Sequence, residues 1–184
     1  MDGNSDAANG LPPNVAPDDK DWTWVLRKRC PECGFEASAI SGREVSGIVR
    51  DSVPRWQRVL ARPDASQRPE PQVWSALEYG CHARDVFTLF EKRAGLMLGE
   101  DNPQFANWDQ DATALADRYS EQLPTVVAAE LAVAGERVAR AFDSVRADQW
   151  DRAGQRSNGD NFTVESLGQY FVHDVVHHLA DVHG

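Results

Sequence analysis

The sequence predicts an all-α protein: a four-helix bundle with one long crossover and an irregular, cysteine-containing strap ahead of it. Three observations carry this. Apolar residues recur at spacings of three and four through four stretches, no stretch shows a convincing strand-like alternation, and 184 residues suffice for one core with little left over. No internal repeat is visible.

Residues 1–20 hold Gly, Asn, Asp, Pro and small side chains that bury too little to offset the entropy of ordering, so a disordered tail is expected there. Residues 21–41 are dense in Trp, Cys and Phe without a helical period and read as a packed, irregular strap. From about Gly42, residues 42–184 form the bundle. Val45, Ile48, Val49, Val53, Trp56 and Leu60 mark the first helix, with Pro54 expected to kink or split it. Trp74, Leu77, Cys81, Asp85, Leu89 and Leu96 mark a second helix that closes near Gly99. The Pro/Asn/Asp-rich segment GEDNPQFANWDQ is the crossover, leading to a short turn of helix around Ala112 to Tyr119. Pro124 suits the first turn of a third long helix carrying Val127, Leu131, Ala134, Val138, Ala141 and Phe142. After Trp150 the segment GQRSNGDN reads as a polar loop. Thr163 is the expected N-cap of the last helix, with Glu165 in its first turn.

Composition narrows the partners. A net charge of −10 without a basic block removes the electrostatic route to nucleic acid or anionic lipid. No apolar run reaches the ~18–20 residues of a membrane span. The first residues lack the basic and apolar regions of a secretory signal. Three cysteines cannot all pair within one chain, which fits a reducing, cytoplasmic setting.

The chemistry concentrates in two helices. His82 lies in the second, and His173, Asp174, His177 and His178 lie in the last. A spacing of four places two ligands on one helix face, giving the pairs His173/His177 and Asp174/His178. At about 100° per residue, Val164, Leu167, Phe171, Val175 and Val182 form an apolar stripe that takes in Asp174 and His178 and leaves His173 and His177 pointing away, toward solvent or a pocket rim. His82 projects from the apolar side of its own helix. His82, Asp174 and His178 therefore form a candidate three-ligand site with an open position, as in catalytic zinc and non-haem iron centres. His173/His177 stay as the alternative pair. The bland reading is a buried histidine bonded to Asp174, but a carboxylate is costly to bury without a partner, which favours a metal.

These residues resemble a known family. The run Trp74-Ser75-Ala76-Leu77-Glu78-Tyr79-Gly80-Cys81-His82-Ala83-Arg84-Asp85 is similar to the second-helix motif of the DinB/YfiT-like superfamily, with a Trp-Ser opening, a metal histidine and a nearby Asp. The closing run from Asp174 through His177, His178 and Asp181 to Val182 resembles the mycothiol-dependent maleylpyruvate isomerase and thiol S-transferase branch. The likeness extends from about residue 42 to the end. It implies a divalent metal, zinc first with nickel or iron also compatible. It also implies transfer or isomerisation chemistry with a low-molecular-weight thiol, mycothiol first and bacillithiol or glutathione after it. Asp174 is shorter than the branch's carboxylate, and other branches have His there, which keeps His173 open as a ligand. The cysteine strap is no part of the general pattern.

That strap, Cys30-Pro-Glu-Cys33-Gly34, reads like half of a zinc ribbon. It suits a structural metal completed by a His, a carboxylate or a partner chain; a redox pair; or packed, reduced thiols. Cys81 falls on an apolar stripe and reads as a small core residue. Trp108, Asp109 and Asp111 combine helix capping with the wall of a polar pocket. Asp85 or Asp181 would orient a ligand imidazole. Arg84 and Arg93 read as surface charges able to hold a cofactor or substrate carboxylate. The expected function is a metal-dependent, thiol-using transferase or isomerase acting on a small electrophile. The alternatives are a non-catalytic metal- or ligand-binding stress-response bundle and an interaction protein docking through the cysteine knuckle. A homodimer is compatible with each.

Overall fold

In a computed structural model of the chain, residues 21–184 are described, and the tail expected over residues 1–20 lies outside them. Helix α1 (Val45–Leu60) follows a capping box in which the Glu44 carboxylate accepts the Ser41 backbone N–H at 2.8 Å. It continues through Pro54 instead of splitting there. The missing proline donor removes one backbone bond, while burial of Val45, Val49, Trp56, Val59 and Leu60 holds the helix on both sides of it.

Helix α2 (Ala76–Gly99) starts at a second capping box: Ser75 Oγ accepts the Glu78 N–H at 3.2 Å, and Glu78 accepts the Ser75 N–H at 2.8 Å. Arg68 pairs with the same Glu78 and ties the α1–α2 loop to the helix start. In the crossover, helix α3 (Gln110–Ala116) is capped by Asp109, which accepts the Ala112 N–H at 2.8 Å. The turn expected to reach Tyr119 breaks after Ala116, and Tyr119–Glu121 form a separate tight 3-10 turn. Helix α4 (Pro124–Asp143) carries its proline in the first turn. Helix α5 (Val164–Asp181) is capped by Thr163, whose hydroxyl accepts the Ser166 N–H at 3.1 Å.

The four long helices make the bundle. Helices α4 and α5 each pack against both α1 and α2, so the order around the bundle is α1, α4, α2, α5, and consecutive helices are not simply nearest neighbours. Phe90, Phe142 and Phe171 stack at its centre, with Phe171 4.9 Å from Phe90 and 5.9 Å from Phe142. Gly168 lets α5 approach there; a Cβ on it would lie 2.9 Å from Phe142 and 3.0 Å from Val45.

A small sheet departs from the purely helical expectation. Strand β1 (Gln104–Phe105) pairs in parallel with β2 (Ala153–Arg156), and β2 pairs antiparallel with β3 (Asn161–Thr163). The segment read as a polar loop is thus a hairpin, turning at Gly159 with φ +100°. Strands of two to four residues are too short for an alternation to register.

The N-terminal strap lies across α5. It contains two 3-10 turns, Trp22–Leu26 and Ala37–Ala39, and buries Val25, Cys30, Phe35 and Ala37. Between them the knuckle closes by hydrogen bonds from the Cys30 N–H to the Phe35 carbonyl and from the Gly34 N–H to the Cys30 carbonyl, with Gly34 at φ +75°. Among the described residues, no helix is long and apolar enough to cross a membrane.

Candidate metal centre

Helices α2 and α5 cross where His82 faces Asp174 and His178. One ligand atom from each of these three lies within 4.8 Å of the others. His82 Nε2 is 3.4 Å and His178 Nε2 is 3.9 Å from Asp174 Oδ1. A tetrahedral zinc, with bonds of about 2.0–2.2 Å, separates such ligand atoms by about 3.3–3.6 Å. Both ring nitrogens of His82, and Asp174 Oδ1, are buried without a hydrogen-bond partner. Buried polar atoms are seldom left so, and His82 Nε2 facing Asp174 Oδ1 is a pair that a cation would satisfy.

The surroundings hold the ligands in place. Trp108 stacks on the His82 ring, centroids 5.3 Å apart, and Trp74 covers another side at 5.5 Å. The Asp181 carboxylate meets His178 Nδ1 at 2.8 Å, which makes that nitrogen the proton carrier and directs the Nε2 lone pair toward Asp174. Burial pushes the Asp174 carboxyl up, but attraction to His82 and His178 outweighs it and holds it at about 2, so the carboxylate is ionised.

The site opens into a cavity of about 670 Å³, the size of a small-molecule pocket. Its walls include Trp22, Tyr79, Asn107, Trp108, Asn158 and Tyr170, and its carboxylates are Asp21, Glu32, Asp109, Asp111, Asp174 and Asp181. Arg156 is the one guanidinium among the described lining residues, and it is already paired with Asp160. The pocket therefore favours cations and neutral polar groups over anions.

Other sequence-predicted residues lie elsewhere. Asp85 does not reach a ligand imidazole; it is held by Arg84 and by the Tyr119 hydroxyl. Arg84 is further occupied by Gln122 and Glu130, outside the cavity. Arg93 is no surface charge: it is 5% exposed, wedged between Phe90 and Phe105, and donates to the Ala106 carbonyl. Cys81 packs with Leu60, Leu77, Tyr119 and Val127, where burial pushes its thiol up to about 12.

His173 and His177 line the cavity, as expected of a pocket rim, but neither is on a solvated face. Both are buried, at 3% and 6% exposure, because the strap covers the α5 face that the bundle core leaves free. The Trp22 ring lies 5.5 and 5.0 Å from the two imidazoles, and Phe35 lies 5.5 Å from His173. Cys30, Cys33, His173 and His177 each bring a ligand atom within 4.8 Å of the others. Burial pushes the Cys33 thiol up to about 11, against the Phe35 and Cys33 backbone N–H groups that favour the thiolate. Sequence reasoning also missed Tyr79, whose ring lies 5.1 Å from His178. Its position three residues before His82, on one helix face, was a usable signal. Arg156 and Asn158 enter the pocket from the hairpin and left none.

The comparisons agree with this fold. The model of the DinB superfamily matches residues 49–182. Among solved structures, the chain is similar to YfiT from Bacillus subtilis, described as a probable metal-dependent hydrolase with an unusual four-helix bundle topology. The identity is 17% and the TM-score 0.59, over 92% of this chain and 91% of that one. No curated protein matches the sequence.

Proposed function

The chain belongs to the DinB superfamily, and from that premise we propose that it is a divalent-metal-dependent enzyme that uses a low-molecular-weight thiol, mycothiol first, to transfer to or isomerise a small electrophile. The observation that carries the metal is the buried pair His82 Nε2 and Asp174 Oδ1, with Asp174 and His178 lining a polar cavity. His82, Asp174 and His178 would hold the ion, zinc being the first choice for two imidazoles and a carboxylate. When bound there, the ion supplies Lewis acidity that lowers the pKa of a coordinating thiol or water.

The chain's own residues do the rest. Asp181 keeps His178 in one tautomer, and the indoles of Trp108 and Trp74 shield His82 from water. Asn107, Asn158, Asp109 and Asp111 offer hydrogen-bonding groups, and Trp22, Trp108, Tyr79 and Tyr170 offer aromatic faces, which together suit a polyhydroxylated, sugar-bearing thiol. The carboxylate excess disfavours a multiply anionic electrophile and favours a neutral or weakly charged one.

The test is conjugation of a small electrophile by purified protein with mycothiol, bacillithiol or glutathione. Turnover should need both metal and thiol, and His82→Ala should abolish it without adding to the loss on chelation, since both act at one step. Thiol-dependent turnover that survives chelation would refute the metal role. The description of YfiT favours a second reading, hydrolysis; turnover that needs metal but no thiol would establish it over the first. Full metal binding without turnover would leave a binding protein.

A further inference from the structure

The strap and the last helix meet in a second cluster that the bundle site does not use. Cys30 and Cys33 come from the knuckle, and His173 and His177 from successive turns of α5. In sequence these are a Cys-x2-Cys and a His-x3-His, the two half-motifs of a four-ligand zinc site, here separated by most of the chain. Four ligand atoms lie within 4.8 Å of one another, with Cys30 Sγ 3.7 Å from His177 Nδ1. A tetrahedral zinc, with bonds of about 2.0 Å to nitrogen and 2.3 Å to sulfur, sets ligand atoms about 3.3–3.8 Å apart, so a small contraction closes the set.

Three further features point to a bound ion. His173 Nε2 is buried with no hydrogen-bond partner. His177 turns Nδ1 toward Cys30 and Nε2 toward the Glu32 carboxylate at 3.3 Å, the arrangement in which a carboxylate steadies a metal-binding imidazole. Trp22 and Phe35 pack on the histidines, which stand at the edge of the same cavity with Cys30 and Cys33 behind them.

We propose that Cys30, Cys33, His173 and His177 form a second, structural zinc site that clamps the N-terminal strap onto α5. All four positions come from the protein, so the ion here holds structure and leaves the bundle site to bind substrate. The clamp closes a loop of well over a hundred residues, the case in which a cross-link restricts the unfolded chain most. It also reaches the bundle site. His177 and His178 are adjacent, and Asp181 stands 3.9 Å from the one and 2.8 Å from the other, so pinning His177 sets the rotation of α5 that presents His178 to the cavity.

The experiment uses the intact chain loaded with Co²⁺ in place of spectroscopically silent zinc. Two thiolates and two imidazoles should give intense sulfur-to-cobalt charge-transfer absorption and the strong visible bands of a tetrahedral ion. Cys30→Ser/Cys33→Ser should lose the charge-transfer absorption and one of two metal ions per chain, and His82→Ala should keep the absorption while losing the other ion. If the double variant does not fold, the wild type still decides the matter: the half-buried Cys33 should resist alkylation when zinc-loaded and react after chelation, with buried Cys81 silent in both states. Cobalt-loaded wild type without thiolate charge transfer, equal alkylation with and without zinc, or a Cys30–Cys33 disulfide in metal-free protein as purified would each overturn the proposal. A wild type that shows thiolate charge transfer but holds no ion that His82→Ala removes would overturn the bundle reading and leave this one standing.

Discussion

Asp181→Ala tests how the bundle site is tuned. The Asp181 carboxylate meets His178 Nδ1 at 2.8 Å and no other imidazole as closely, since His177 Nε2 is 3.9 Å away. Removing it frees the His178 ring to rotate and to place its proton on either nitrogen, so part of the population loses the lone pair aimed at Asp174. Loss of such a carboxylate weakens metal binding by roughly 10- to 100-fold, or about 1.4–2.8 kcal/mol. Asp181→Asn, whose amide oxygen still accepts from Nδ1–H, should recover much of the affinity. The assay is competition for zinc against a chromophoric chelator in the Cys30→Ser/Cys33→Ser background, where only the bundle site reports. The metal-free unfolding midpoint should barely move, because a partly exposed pair contributes at most about 1 kcal/mol. Unchanged zinc affinity in Asp181→Ala would refute the orienting role, and equal losses in the Ala and Asn variants would refute the tautomer argument.

Other outcomes follow from burial and packing. Burial, aided by the charge of His177, lowers the His173 imidazole from 6.5 to about 4 in the folded protein. Between those values the unfolded metal-free chain binds the extra proton, so stability should fall as pH drops from 6.5 toward 4 and be insensitive to this group above 6.5. Urea midpoints across that range should slope less in His173→Gln, and identical slopes would contradict the assignment. Gly168→Ala places a methyl 2.9 Å from the buried Phe142 ring, which is stacked on Phe171 and has little room to yield. Overpacking of that kind costs roughly 1–3 kcal/mol, visible in thermal unfolding, and an unshifted midpoint would show that the helices separate more easily than the packing implies.

The bundle was legible because its signals are local. Ser75 with Glu78, Thr163 and Pro124 sit at helix starts, and the apolar positions of α5 mark one stripe. That same stripe placed Asp174 and His178, and the apolar side of α2 placed His82, toward one interior, and the structure brings their ligand atoms within 4.8 Å. Reading His173 and His177 as solvated failed for a definite reason: a helical wheel knows one buried face, and α5 has two. The second is covered by a strap 147 residues away along the chain, and no periodicity in α5 announces it. Arg93 misled in the same way, because only the fold shows that the crossover returns Phe105 and Ala106 over α2 to enclose a guanidinium.

The sequence by itself determined the helices, their caps, the acidic balance and the ligand-type residues, since propensity, hydrogen-bonding capacity and charge belong to a residue and its near neighbours. Tertiary structure decided which of those residues meet. The crossing of α2 and α5 gathers one metal-ligand cluster, and the strap lying on the outer face of α5 gathers the other, because contacts between distant segments are set by how whole elements pack and not by spacing along the chain.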